Sequence, residues 1–323
     1  MTIFARLFAA GILAGSALAA GAACAQQWPN GPVTIVVPFV PGGTTDILGR
    51  LAAEILQNEY KSSFVVENRT GAGGVIGNTS VARAAPDGQT LLLAPTALGI
   101  VPFVSKNVPY DTRRDLKPVT LMAYTYNIMV VSPQLNVKTV QDFIDLAKSS
   151  ALPLNYASPG IGTPTHLGVE VFAKENGFTL RHVPYRGAAP ALTDLMSGEI
   201  NMMFVDLAPG IPLVEAGKIR ALGILTPQRL PSLPDMPAVS ETAKGFYLVG
   251  WQGLLAPGGT PDAIVERINA PIVAYLKTKA AAERLQKIGV DVKWSSPPEM
   301  REWIDSQLNY WEKTAKGAGI VPQ

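Results

Sequence analysis

The segment from Val33 to Asp46 (VTIVVPFVPGGTTD) joins a β-branched run of strand length to a glycine pair and then, with no spacer, to a helical pattern. Pro38 and Pro41 end the strand, because neither offers an N–H to a ladder. From Thr44 onward, Ile47, Leu48, Leu51, Ile55 and Leu56 recur at helical spacing and make one apolar face. Gly42 and Gly43 therefore sit where the first N–H groups of a helix have no acceptor. Such a terminus attracts anions through its free donors and the positive end of the helix dipole. A tight strand–helix turn without a ligand fits this segment equally well, so the choice rests on the rest of the chain.

The N-terminus reads as a removable export signal. Arg6 is its one charge, Leu7 to Ala20 is small and apolar, and Ala23-Cys24-Ala25 fits an A-x-A processing site. The apolar part is too short and too rich in Ala and Gly for a membrane span. Acylation at Cys24 is the alternative, weakened by Gly21 three residues earlier. Either route predicts an exported protein with residues 1–25 as its signal peptide. Cys24 is the only cysteine among 323 residues, so disulfides and thiolate chemistry leave the argument with it. A formal charge of +2 and the lack of a basic patch speak against a nucleic-acid partner. The 27 prolines and 30 glycines fall at the ends of apolar runs, which is the punctuation of an ordered chain.

Strand and helix patterns alternate along the chain. Strands are expected at Ser63–Val66, Thr90–Ala94, Ile128–Val131, Leu154–Ala157, Leu180–Val183, Ile200–Val205 and Ala221–Leu225. Helices are expected after the glycine-rich Gly71–Gly77, after Thr139 with Asp142 as a capping box, from about Thr165 to Glu175, and from Ala188. This order predicts an α/β fold with parallel sheets covered by helices on both faces. Towards the C-terminus, Thr260 reads as an N-cap before Pro261, and Ser296 with Glu299 as a capping box opening a last helix.

Three further places repeat the design of the first loop. Asn155 to Leu167 puts Ser158, Gly160, Gly162 and Thr163 between a strand and a helix start; Tyr185 to Leu192 follows the next strand; Asp206 ends the apolar run Ile200–Val205. In open α/β sheets ligands collect beyond the carboxyl ends of strands, so these loops are expected to share a crevice. Asp46 reads by default as a first-turn dipole partner, and Asp206 equally as a helix N-cap or a ligand contact. His166 and His182, the only histidines, read as structural. Enzyme motifs are missing: there is no G-x-S-x-G elbow, no phosphate-loop GK[ST] and no His pair at metal spacing. Gly71 to Gly77 has the wrong spacing for a dinucleotide fingerprint, so neither a cofactor nor a metal is expected.

The chain resembles the exported solute-binding receptors of tripartite tricarboxylate transporters, the Bug family. The resemblance covers the whole mature chain. It rests on Val37–Asp46, Glu67–Gly77, Ala84–Gly88, Tyr110-Asp111, Asn155-Tyr156, Gly160–Thr163 with His166-Leu167, His182–Gly187, Ala189–Leu195, Trp251–Gly253 and Ala256-Pro257. It implies a two-lobed type II periplasmic-binding-protein fold, with residues 26–126 and 249–323 in one lobe and 127–248 in the other. It also implies a ligand carboxylate held by backbone groups of two loops, Phe39–Asp46 and Ser158–Thr163, with Asp206 near the far end of the ligand. The expected ligand-binding set is Phe39, Val40, Gly42, Gly43, Thr44, Asp46, Thr96, Ser158, Gly160, Gly162, Thr163, Tyr185 and Asp206. Val40 departs from the Pro or Ala common in the family. The implied function is capture of a small carboxylate, a dicarboxylate or hydroxy-acid, by a monomeric periplasmic receptor that delivers it to membrane permease subunits. Presentation of the ligand to a sensor kinase is the alternative, and an exported hydrolase is disfavoured for want of a nucleophile–base pair.

Overall fold

The computed structural model describes residues 28–318 and Pro322; the expected signal segment, Cys24 included, lies outside the described residues. The opening run folds as its pattern implies. β1 (Val33–Val37) stops before Pro38, and α1 (Thr44–Tyr60) begins directly after Gly43. β1 lies between β2 (Phe64–Asn68) and β3 (Thr90–Pro95), parallel to both. A second parallel trio places β5 (Asn155–Ser158) between β6 (Arg181–Pro184) and β7 (Met202–Asp206).

The sheets are not wholly parallel, contrary to the expectation from the element order. β4 (Leu116–Val131) carries the chain from the first trio to the second, and β9 (Val249–Pro257) brings it back. β9 runs antiparallel to both β3 and β4, and β4 runs antiparallel to β7, β8 (Arg220–Ile224) and β10 (Val290–Val292). An outgoing and a returning strand that pair must run in opposite directions. The sequence pattern revealed only the last part of this 16-residue strand. Pro118 and the polar Thr120, Thr125 and Asn127 interrupt its apolar run. The ladder absorbs Pro118 at a register shift, where a missing N–H costs no pairing.

Helix boundaries mostly follow their caps. Thr139 and Asp142 form the expected capping box before α5 (Val140–Ser149). Ser296 and Glu299 form another at the head of α11 (Pro297–Ala318). Two expectations shift. The segment after Gly71 is a single 3-10 turn (Ala72–Gly74) followed by the short α2 (Val75–Ala82). Pro261, not Thr260, is the N-cap of α9 (Asp262–Leu276), because the proline stays extended and the helical turn starts one residue later. One-turn α4 (Thr112–Asp115), capped by the Asp111 carboxylate, feeds into β4, and α10 (Lys279–Gln286) leads to β10.

Each trio has its own core. Ile35, Val37, Leu48 and Leu51 pack with Ile268 and Ile272 of α9 on one side. On the other, Phe143, Phe172, Phe204 and Phe246 interlock, with the Phe172 ring centroid 5.7 Å from Phe204 and 5.3 Å from Phe246. α11 serves both halves. Its Met300, Ile304 and Leu308 pack with residues of the first, and Trp311 and Ala315 join the phenylalanine cluster of the second. Truncating Phe172 to alanine leaves a hole among three aromatic rings, and urea unfolding is expected to show a loss of about 3–5 kcal/mol.

Candidate functional site

Between the two halves lies a cavity with an empty volume of about 680 Å³, open mouth included. Its wall is built from helix beginnings. Thr44 and Thr45 open α1; Thr96 and Ala97 open α3 (Ala97–Val104); Thr163, Pro164 and Thr165 open α6 (Pro164–Glu175). Ala188 opens α7 (Ala188–Ser197), and Asp206 precedes α8 (Leu207–Glu215). Five N-termini from both halves thus face one small space. Each leaves amides without intrahelical acceptors and a partial positive charge at its mouth. Among the lining residues Asp206 is the only one with a charged side chain, and none is Lys, Arg or His.

Four polar residues on the wall lie on the strands that join the halves. Thr125 and Asn127 come from β4, and Gln252 comes from β9, with Asp206 at the end of β7. Asn127 Oδ1, Gln252 Oε1 and Thr44 Oγ1 are buried without a hydrogen-bond partner. Thr96 is different: its hydroxyl accepts from the Trp251 amide at 2.6 Å and donates to the Trp251 carbonyl at 3.2 Å, locking α3 to β9. Asp206 stands at an N-cap position, yet its side chain caps nothing. Burial pushes its carboxyl up to about 6, while the approach of the Thr44 hydroxyl, short of a completed hydrogen bond, acts weakly the other way.

Of the residues expected at the site, Phe39, Val40, Gly43, Thr44, Thr96, Thr163 and Asp206 line the cavity. Gly42, Asp46, Ser158, Gly160, Gly162 and Tyr185 are absent from its wall and build the loops behind it. Gly42 is no free donor, because at φ 90° its N–H donates to Asp46 Oδ2 at 3.1 Å. The Asp46 carboxylate also accepts from Arg50 Nε at 2.9 Å and Asn68 Nδ2 at 3.0 Å. Burial opposes its ionisation, but the hydrogen bonds from Arg50, Asn68 and Gly42 outweigh that and hold the carboxyl below its ordinary value. The Gly160 and Gly162 amides are likewise engaged, by Ser158 Oγ at 3.2 Å and His166 Nδ1 at 3.3 Å. Tyr185 donates its hydroxyl to Asp194 at 2.5 Å.

The second loop rests on a ring stack. His166 and His182 centroids are 4.2 Å apart, and Tyr156 lies 4.7 Å from His182. Burial lowers His166 to about 4; burial and then the charge of its neighbour lower His182 to about 3, so both are neutral near pH 7. Ser158 Oγ is 2.7 Å from His182 Nε2, the spacing of a nucleophile and its base. The serine is fully buried, is also bonded to Gly160, and does not reach the cavity, so the pair braces the loop.

At the mouth the halves touch through glycine. A Cβ on Gly73, where φ is 63°, would lie 2.1 Å from the Ile161 carbonyl oxygen, and one on Gly187 would lie 2.2 Å from Val40 Cγ2. The glycine-rich segment after β2 therefore lets backbone meet backbone across the opening. Sequence reasoning passed over Gly73, Asn127 and Gln252. An Asn or Gln inside an otherwise apolar strand was the available signal for the last two.

Two α/β halves enclosing a cavity ringed by helix N-termini have the architecture of a solute-binding receptor. The model of the tripartite tricarboxylate transporter family receptor matches residues 48–320, so the chain belongs to that family, the Bug receptors, a family of binding proteins and not of enzymes. Protein BugT of Bordetella pertussis is 31% identical over 314 residues, covering 96% of both chains. Among solved structures, R. palustris Rpa4515 with adipate is 36% identical at a TM-score of 0.89, covering 92% of this chain and 100% of that one. MatC from Rhodopseudomonas palustris with bound malate is 29% identical at a TM-score of 0.83, covering 89% of this chain and 99% of that one.

Gly73→Val places a branched side chain against Ile161, so closure of the mouth is impeded; ligand titration is expected to show affinity at least tenfold weaker, with far-ultraviolet circular dichroism unchanged. Asp206→Asn acts on stability in a pH-dependent way. A carboxyl whose folded-state value lies above its unfolded one costs stability once pH rises past both, so the ligand-free variant is expected to be about 1–2 kcal/mol more stable at pH 8. That gain fades as pH falls through about 6 towards 4, and thermal melts across this window check it.

Proposed function

We propose that this chain is exported to the periplasm, captures a small carboxylate in the cavity between its halves, and delivers it to the permease subunits of a tripartite carboxylate transporter. The observation that carries the reading is the convergence of five helix N-termini on a wall without a single basic side chain. Such a wall favours a carboxylate through neutral donors and dipoles alone. In this reading the amides of Gly43, Thr44 and Thr45 and the groups around Thr96, Thr163 and Thr165 receive one carboxylate, while Asp206 faces the other end of the ligand. Phe39 and Val40 supply apolar wall. Gly42, Asp46, Ser158, Gly160, Gly162 and Tyr185 hold the two loops in shape.

The ligand class proposed is a dicarboxylate or hydroxy-acid, in line with the adipate and malate in the two R. palustris structures. The lobes are assigned as residues 26–126 with 249–323, and 127–248, joined by β4 and β9. Their closure buries the acid and brings surfaces of both lobes together for the membrane partner. Both carboxylate-binding loops belong to one chain, which supports a receptor that works as a monomer.

Thermal-shift scans of the chain lacking residues 1–25 against aliphatic, aromatic, hydroxy- and amino-carboxylates test this. A ligand at a hundred times its Kd adds about 2.7 kcal/mol, which raises the midpoint by several degrees. Gly43→Pro, which deletes an amide at the head of α1, is expected to abolish that shift. No response to any acid, or an undiminished response in Gly43→Pro, would overturn the reading.

A further inference from the structure

Asn127 and Asp206 are direct partners in the ladder of β4 and β7. Opposed residues of an antiparallel pair leave the sheet on the same face, side by side, and both of these line the cavity. Asn127 is 1% exposed; its Nδ2 donates to the Leu248 carbonyl at 3.4 Å, which leaves Oδ1 with nothing to accept from. Gln252, 4% exposed on β9, has an equally unpartnered Oε1. With the Asp206 carboxyl, approached only by the Thr44 hydroxyl, this end of the cavity gathers three side-chain acceptors and lacks a charged donor.

No cation stands by to supply one. α1 contributes Thr44 and Thr45 to the wall, with Asp46 turned onto Arg50; β4 contributes Thr125 and Asn127, with Tyr126 bonded to Asp291 instead. β9 contributes Gly250 and Gln252, and α8 contributes Pro209. A second carboxylate arriving here ionised would meet the Asp206 charge with only the neutral Thr44 hydroxyl beside it. A single proton between the two converts repulsion into a hydrogen bond, as in any close carboxyl pair.

We infer that a dicarboxylate is bound as its hydrogen dicarboxylate: one carboxylate stays charged against the helix starts, and the other shares a proton, taken from solvent, with Asp206 beside Asn127. No covalent bond changes other than O–H, and the proton returns to solvent on release. A hydroxy-acid brings its own donor and needs no proton. The inference rests on the carboxylate reading of the cavity.

Isothermal titration calorimetry with adipate near pH 7.5, in two buffers of different ionisation enthalpy, counts the protons. Uptake approaching one proton per adipate is expected, with Kd weakening about tenfold per pH unit in the alkaline range. Titration with 6-hydroxyhexanoate is expected to show no uptake and a flat pH profile. Asp206→Asn, whose amide donates without titrating, is expected to bind adipate with neither uptake nor pH dependence. Adipate binding to the unmodified receptor without uptake and with a flat Kd would overturn this inference alone. An absence of binding by either acid would remove the carboxylate reading together with it.

Discussion

Everything in this structure depends on the continuous pairing of β4. Backbone N–H and C=O groups buried in a protein must find partners, and a strand that passes from one half of a molecule to another is in danger of leaving them bare at the crossing. β4 avoids this by pairing with β9 and β10 along its first part and with β7 and β8 along its last. The changeover falls at Tyr126–Asn127, beside the cavity. The same ladder that ties the halves together therefore sets Thr125, Asn127 and Asp206 at fixed positions on the cavity wall.

The electrostatic design of the site follows from helices, not from side-chain cations. Arginine or lysine would hold a carboxylate more strongly, but each buried cation carries a desolvation cost that persists when the ligand is gone. Helix N-termini offer a positive potential whose donors are part of the backbone and already fixed in place. The acidic residues divide accordingly. Asp46 is consumed in tying the Phe39–Gly43 loop to Arg50 and Asn68, and it keeps its charge because those bonds favour it. Asp206 has no such partners, and burial makes its charge expensive. The two carboxylates thus differ in role because one is held by three hydrogen-bond donors and the other is approached by a single hydroxyl.

The mouth of the cavity shows a second use of glycine. Near Gly42 a positive φ lets the chain turn so that its amide reaches Asp46. At Gly73 the need is also for space, since the Ile161 carbonyl occupies the place a side chain would take. The buried stack of Tyr156, His182 and His166 supports the opposing loop from behind. Both histidines stay neutral there, as suits rings that serve as packing, with His166 Nδ1 accepting from the Gly162 amide.

The sequence by itself determined the local elements and their punctuation. The strand ending at Pro38, the helix beginning at Thr44, the capping boxes at Thr139 and Ser296, and the polar strand end at Asp206 all follow from neighbours within a few residues. The helix starts on the cavity wall were legible for that reason, because a helix start announces itself locally. What only the tertiary structure decided depends on residues far apart in the chain. The antiparallel course of β4 and β9, and the facing of Asn127 and Gln252 into one space, required strands from both halves to meet. The engagement of the Gly42 amide by Asp46, backed by distant Asn68, was equally invisible, since a free and a satisfied donor have the same sequence. Periodicity reports which residues share a face, whereas only packing fixes what that face meets.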